Sequence, residues 1–159
     1  MSSRLFQKIR EDKGLVYAIG SYPVPLIDAG YLVVYAGADG NNLKELVFLV
    51  LEEARAMLDE GLEDEELDSA KGNFRGSLLL GLESTEGRMA RLAVSEIYLG
   101  RIVSIGEVRS KIDSLSKDDV KRAARRFIDI NRISVVSLGT GPEEEEINSS
   151  VERSKRLWK

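Results

Sequence analysis

Residues 10–17, REDKGLVY, place two hydrogen-bond-donating side chains seven positions apart. Arg10 stands near the end of a predicted helix, and Tyr17 stands on the strand predicted to follow it. A guanidinium offers five donors in a rigid fork and a phenol offers one, so their natural ligands are oxygen acceptors. From the residues alone, the simpler explanation is a solvated cation near a helix C-terminus and an ordinary strand aromatic.

The chain contains no histidine and no cysteine. This composition excludes a Ser/His/Asp triad, a Cys/His dyad and a zinc site with nitrogen and sulfur ligands. Carboxylate sites for hard cations remain, but no segment has the Asp and Gly spacing of a calcium loop. The acidic runs that begin at Glu63 and Glu143 are better explained as solvated surface.

The overall composition is that of an ordinary globular domain. The chain has 159 residues, of which 43% are hydrophobic and 31% charged, and its net charge is −4. Its lysines and arginines are dispersed, which argues against a nucleic-acid-binding surface. Because we find no signal peptide and no membrane-length apolar run, we expect a cytoplasmic protein that binds neither nucleic acid nor a membrane.

The N-terminal third predicts a short helix followed by two strands. Ser2 and Ser3 are expected to cap the helix, and Gly14 suits the left-handed position after its end. The strand predictions rest on runs of branched and aromatic residues. These runs are Leu15–Tyr22, which Pro23 and Pro25 interrupt, and Gly30–Ala38.

Five helices are predicted next, each from a start signal followed by an apolar stripe. The start signals are Asn42 with Glu45, the acidic run Glu63–Glu66, Ser84 or Thr85, Ser104 with Glu107, and Ser116 with Asp119. A final strand is predicted over Ile133–Leu138. Residues 140–159 lack periodicity and are predicted to form a polar, mobile tail.

Two adjacent strands followed by several helices favour an α+β fold over a doubly wound sheet. The predicted architecture has two layers, with helices packed on one face of the sheet. Three strands make a thin sheet, so we expect further strands to precede residue 1. An incomplete sheet edge also predicts pairing with another copy of the chain.

Several motifs resemble one peptidase family over residues 1–139. The opening segment MSSRLFQKIREDKGLVYAIGSY is similar to the C-terminal half of the insulinase and mitochondrial processing peptidase family of zinc metallopeptidases. The resemblance continues through GLEDEELDSAKGNFRGSLLLGLES, EGRMARLAVSEIYLGR, SIGEVRSKIDSLSKDDVKRAARRFI and ISVVSLG. It implies a processing-peptidase-like domain over residues 1–139 that is incomplete at its N-terminus.

This resemblance implies two homologous halves that close around an unfolded peptide like a clamshell. The N-terminal half would hold zinc through an H-x-x-E-H motif, which this chain lacks. The C-terminal half would supply an arginine and a tyrosine, which are Arg10 and Tyr17 here. Tyr17 would donate to the developing oxyanion or the adjacent backbone, and Arg10 would hold a substrate carbonyl.

The function implied is therefore that of a substrate-binding half of a zinc endopeptidase for unstructured peptides. Its partners would be the peptide and a homologous half or subunit carrying H-x-x-E-H, and this chain would be inactive alone. The chain would be either a fragment of a longer peptidase or a separate subunit. The alternative is a non-catalytic structural or protein-interaction subunit with the same fold.

Overall fold

The computed structural model of the protein describes residues 3–158. The predicted α+β class is confirmed, because an antiparallel sheet precedes a series of helices. The elements in chain order are a π-helix Phe6–Glu11, β1 Val16–Pro25, β2 Gly30–Ala38, a 3-10 helix Gly40–Asn42, α1 Leu43–Asp59, α2 Asp64–Leu80, α3 Thr85–Leu99, α4 Ile105–Asp113, α5 Lys117–Phe127, a 3-10 helix Ile130–Arg132 and α6 Glu144–Leu157.

The chain divides into two compact units. One comprises residues 3–61 and 121–158, and the other is Leu62–Val120. The sheet, α1 and α6 belong to the first unit, and α2, α3 and α4 belong to the second. The assignment of residues 1–139 to one processing-peptidase-like domain stays a prediction.

The first helix forms where it was predicted, but it is a π-helix. The Asp12 N–H donates to the Gln7 carbonyl at 2.9 Å, five residues back, as this wider helix requires. Ser3 Oγ accepts from the Phe6 N–H at 3.3 Å and so caps the helix as expected. Ser2, the other predicted cap, lies outside the described residues.

Gly14 lies just past the end of the π-helix in the left-handed conformation, with φ +63°. Its N–H donates to the Arg10 carbonyl at 3.1 Å, and the Leu15 N–H donates to the Ile9 carbonyl at 3.2 Å. These two hydrogen bonds are nested like the pair that forms a Schellman motif. Each spans one residue more than its counterpart in that motif, as the wider repeat of a π-helix requires. The chain is thereby turned directly into β1.

Ile9 anchors this region to the core. Its side chain is fully buried in a cluster with Val16, Ile19 and Leu46, so the π-helix, β1 and α1 meet at one point. The α1 start differs from prediction, because Asn42 makes no side-chain cap. Its amide Nδ2 donates instead to the Leu15 carbonyl at 3.3 Å, and the preceding 3-10 turn is capped by Asp39.

β1 and β2 form an antiparallel hairpin, and the prolines do not interrupt it. Pro23 lies opposite Leu32 and Pro25 lies opposite Gly30. At the turn, the Leu26 N–H donates across to the Ala29 carbonyl at 2.9 Å, so residue 26 faces the partner strand. Positions 25 and 23 then face the outer edge, where a missing N–H costs no ladder bond.

The predicted final strand over Ile133–Leu138 is wrong for this structure. The segment has no regular secondary structure, and Val136 and Leu138 are 93% and 104% exposed. Its composition suits a strand, but a strand also needs a neighbour to complete its hydrogen bonds. Within residues 3–158, only β1 and β2 pair.

The expectation that residues 140–159 lack periodicity is also wrong, because α6 forms there. Ile147 is buried with Val47 and Leu51 of α1, and Val151 and Trp158 pack on the same cluster. These apolar residues share one face of an otherwise polar helix. Their small number concealed the helical pattern in the sequence.

Two polar contacts fix the direction of α6 against α1. Lys44 Nζ lies 2.7 Å from Glu146 Oε2, and Arg55 Nη1 donates to the Leu157 carbonyl at 2.7 Å. Both pairs are separated by 102 residues, one pair near the start of each helix and the other near the ends. The two helices therefore run parallel.

In the second unit, the predicted helix starts are confirmed. Four local caps form, all of the kind in which a side-chain oxygen accepts from the third residue of the helix. They are the Glu63–Glu66 capping box, Ser84 with the Gly87 N–H, Ser104 with the Glu107 N–H, and Ser116 with Asp119. These signals are local, so the sequence predicted them well.

Replacing Gly14 tests the turn between the π-helix and β1. A Cβ at Gly14 would meet no atom within 4 Å, so any effect of Gly14→Ala comes from the backbone conformation. We expect destabilisation by about 1–2 kcal/mol, measured by urea unfolding. The control is Gly72→Ala inside α2, which also meets empty space and should stabilise by about 0.5–1 kcal/mol. Equal effects of the two substitutions would contradict this account.

Glu107 gives the second unit a specific acid sensitivity. Hydrogen bonds from Arg101, at 2.8 and 2.6 Å, and then from Lys111 lower the pKa of Glu107 from 4.5 to about 2. Because the folded-state pKa is depressed, the stabilisation is present above pH 4.5 and is lost as the pH falls towards 2.

Glu107→Gln should therefore flatten the dependence of unfolding free energy on pH in this window. The control is Glu86→Gln in the first turn of α3, because Glu86 forms no ion pair in the described part of the chain. The measurement is urea unfolding of wild type and both variants at several pH values between pH 2 and 5. This range covers the interval over which the pKa of Glu107 is lowered. Parallel curves for Glu107→Gln and wild type would argue against the ion pair.

Candidate functional site

Arg10 lies exposed on the π-helix, and its guanidinium rests on an aromatic ring. The guanidinium carbon is 4.8 Å from the centroid of the Phe6 ring, within cation–π range. Phe6 is half-buried and packs against the Ile9 cluster. The ring therefore connects the cation to the core and limits the directions in which Arg10 can point.

Tyr17 occupies a β-bulge at the start of the sheet. Val16 lies opposite Ala38 and Ala18 lies opposite Gly37, so Tyr17 is the additional residue on β1. Its ring passes over Gly37, where an added Cβ would lie 3.6 Å from Tyr17 Cδ2. The side chain is 69% exposed. Bulges often redirect a side chain beside an active site, and this one presents the phenol to solvent.

Both predicted site residues thus lie at irregular backbone. π-helices and bulges are uncommon and recur at functional sites. Gly14 joins the two irregularities, and its N–H bonds back to the Arg10 carbonyl. Among the described residues, Arg10 and Tyr17 form no hydrogen bond with each other. The structure places them on adjoining elements with their donors turned to solvent.

Two supporting residues were not predicted. Phe6 contacts the guanidinium of Arg10, and Gly37 lies under the Tyr17 ring. The spacing of Phe6 and Arg10, four residues apart on one helix, was a signal for the first contact. No local signal indicates the second, because it depends on the register of β1 with β2.

The residues of this chain do not fit a zinc site. Histidine and cysteine are absent from the sequence, and residues 3–158 hold no group of three acidic side chains placed to bind a metal. Carboxylates alone suit harder cations than zinc. No helix in the same range is long and apolar enough to cross a membrane.

Comparison with known families gives a match over the first part of the chain. Residues 1–74 match the family model described as the Peptidase M16 inactive domain. This range includes the π-helix, the hairpin, α1 and the candidate site.

Curated bacterial relatives match over most of the chain. The uncharacterized zinc protease YmxG of Bacillus subtilis is 36% identical over 127 residues, covering 80% of this chain. The uncharacterized zinc protease SCO5738 of Streptomyces coelicolor is 38% identical over 125 residues, covering 79%. A further uncharacterized zinc protease, from Rickettsia bellii, is 30% identical over 136 residues, covering 86%. The chain spans 27% to 33% of the length of these relatives.

A solved structure is similar in fold. A chain of Complex III2 from Candida albicans, with Inz-5 bound, superposes with a TM-score of 0.71 at 22% sequence identity. The match covers 79% of this chain and 30% of that one. At this identity the likeness supports the α+β fold alone.

Phe6→Leu tests whether the ring orients Arg10. Leucine keeps apolar contact with the Ile9 cluster but removes the aromatic face, which is worth about 0.5–1 kcal/mol at exposed sites. The Arg10 Nε–Hε signal should lose its ring-current shift by NMR, whereas Phe6→Trp should retain one. Arg153, which lies 4.4 Å from the Phe48 ring, is the internal control and should not move. An unchanged Arg10 signal in Phe6→Leu would show that the ring does not hold it.

Proposed function

The chain belongs to the insulinase (M16) family of zinc metallopeptidases and matches its inactive C-terminal domain, and on this premise we propose a function for it. It is the substrate-binding half of a zinc endopeptidase that cleaves unstructured peptides. The observation that carries the proposal is the exposed pair of donors, Arg10 and Tyr17, on two irregular elements that a single turn connects.

The proposed role of Tyr17 follows from its exposure and its support. Peptide hydrolysis develops negative charge on the scissile carbonyl oxygen, and a positioned phenol can donate to it. The bulge places the Tyr17 ring over Gly37 with its side chain largely exposed, so the phenol is accessible to a bound peptide. We therefore assign to Tyr17 a hydrogen bond to the oxyanion or to the neighbouring backbone of the substrate.

Arg10 has the complementary role of holding the peptide. Its guanidinium can donate two parallel hydrogen bonds to a backbone carbonyl or a carboxylate. Because the Phe6 ring covers one face of the guanidinium, its in-plane donors stay available to a ligand. We assign to Arg10 the role of fixing the register in which the peptide binds.

The metal and the general base would come from a homologous half or subunit that carries H-x-x-E-H. This chain would supply hydrogen-bond donors, and it offers no histidine or cysteine ligand for zinc because its sequence contains neither residue. In the proposed assembly the two halves close around the peptide as a clamshell, and neither cleaves it alone.

Substitutions at the two donors test the proposal in the assembled two-half protein. Removing one oxyanion donor typically costs about 10²–10³ in turnover, so Tyr17→Phe should lower kcat by about that factor. Arg10→Ala should act mainly by raising KM, since the lost contact holds substrate and transition state alike. Tyr98→Phe, at an exposed tyrosine of α3, is the control and should keep wild-type rates.

The outcomes separate the enzyme from its rival. Wild-type rates for both Tyr17→Phe and Arg10→Ala, with circular dichroism unchanged, would favour a non-catalytic structural or interaction subunit. The isolated chain with added zinc should show no peptidase activity. Cleavage by the isolated chain would contradict the assignment of the metal to another half.

A further inference from the structure

Four of the five tyrosines of the chain lie on one face of the hairpin. Side chains that are directly paired across two strands share a face. The pairs that share this face are Ala18 with Gly37, Gly20 with Tyr35, Tyr22 with Val33, and Val24 with Tyr31. Tyr17 joins them because its ring lies over Gly37. We call the surface of Tyr17, Tyr22, Tyr31 and Tyr35 the tyrosine face.

Glycines and ring contacts order this face. A Cβ at Gly20 would lie 2.9 Å from the Tyr35 ring, so that ring lies directly on the Gly20 backbone. The Tyr22 and Tyr35 ring centroids are 6.1 Å apart at an interplanar angle of 49°, a favourable tilted pair. At one end of the row the Tyr17 ring lies over Gly37 less closely, since a Cβ at Gly37 would be 3.6 Å from Tyr17 Cδ2.

The opposite face of the hairpin differs in chemistry. It carries no tyrosine, and Ile19 on that face belongs to the buried core. The other paired residues on that face are Ser21, Pro23, Pro25, Gly30, Leu32, Val34 and Ala36. The tyrosine face has no charged residue, and its four rings are 48% to 69% exposed. An aliphatic cover over this face would bury phenol hydroxyls without partners, which is unfavourable. A peptide offers both side chains for the rings and backbone acceptors for the hydroxyls.

We propose that the tyrosine face binds the side chains of an extended peptide and selects aromatic residues near the point of cleavage. This inference rests on the proposed function, because the row begins at Tyr17. Tyrosine gives a large contact area with little loss of side-chain freedom, as in antibody combining sites. An uncharged face also favours aromatic over charged side chains in the bound peptide.

Peptide binding to the full 159-residue chain tests this selection. The probes are two fluorescein-labelled unstructured peptides of twelve residues that differ only in a central Phe or Ala. Since ordered aromatic pairs contribute modestly, the wild-type chain should bind the Phe peptide about two- to tenfold more tightly by fluorescence anisotropy. Tyr35→Ala should abolish the preference, and Tyr35→Phe should keep it.

A second variant reaches the same face without removing a tyrosine. Gly20→Ala should push the Tyr35 ring from its position while leaving every aromatic residue in place, and it should reduce the preference for Phe. Tyr98→Ala is the matched control, since Tyr98 is an exposed tyrosine on α3, which belongs to the other compact unit. Circular dichroism and thermal unfolding check that each variant is folded.

The outcomes distinguish failure of this inference from failure of the proposed function. Equal binding of the two peptides, or a preference that survives in Tyr35→Ala, overturns the tyrosine face while Arg10 and Tyr17 keep their roles. Loss of the preference in Tyr98→Ala overturns it too. Self-association blocked by Tyr35→Ala would make the face a contact between copies. The proposed function is contradicted as well only if Tyr17→Phe and Arg10→Ala both keep wild-type turnover in the assembled protein.

Discussion

The complete burial of Ile9 is the constraint on which the first unit depends. Its side chain joins the π-helix to β1 and α1, and its carbonyl accepts the N–H that closes the turn after Gly14. With Ile9 facing inward, the next residue, Arg10, is directed to solvent. The strand must then begin where Val16 can reach the same core, which leaves Tyr17 at the margin of the sheet. The candidate site is thus a consequence of how one isoleucine packs.

Much of this arrangement could be predicted from the sequence, and the omissions have physical causes. Caps and turns depend on neighbouring residues, so the starts of α2 and α3 and the helix end near Gly14 could be predicted from the sequence. Six residues are too few to separate a π-helical from an α-helical period, and a bulge is defined only by its partner strand. The family resemblance, rather than the spacing, identified Arg10 and Tyr17.

Two of the incorrect predictions show opposite limits of prediction from sequence patterns. Residues 133–138 have a strand's composition, but strand pairing is non-local and no neighbour within residues 3–158 provides it. α6 has a mostly polar composition, yet three apolar residues on one face suffice when α1 lies alongside. Local propensity is a weak guide in both segments because tertiary contacts decide the outcome.

Pro23 and Pro25 determine which edge of the hairpin can pair with a further strand. Both remove donors from the outer edge of β1, so along its distal half only β2 presents a complete set of backbone groups. The same prolines that the hairpin tolerates therefore leave the tip of β1 without the donors that an added strand would need, and they direct further strand pairing to β2 or to the proximal half of β1.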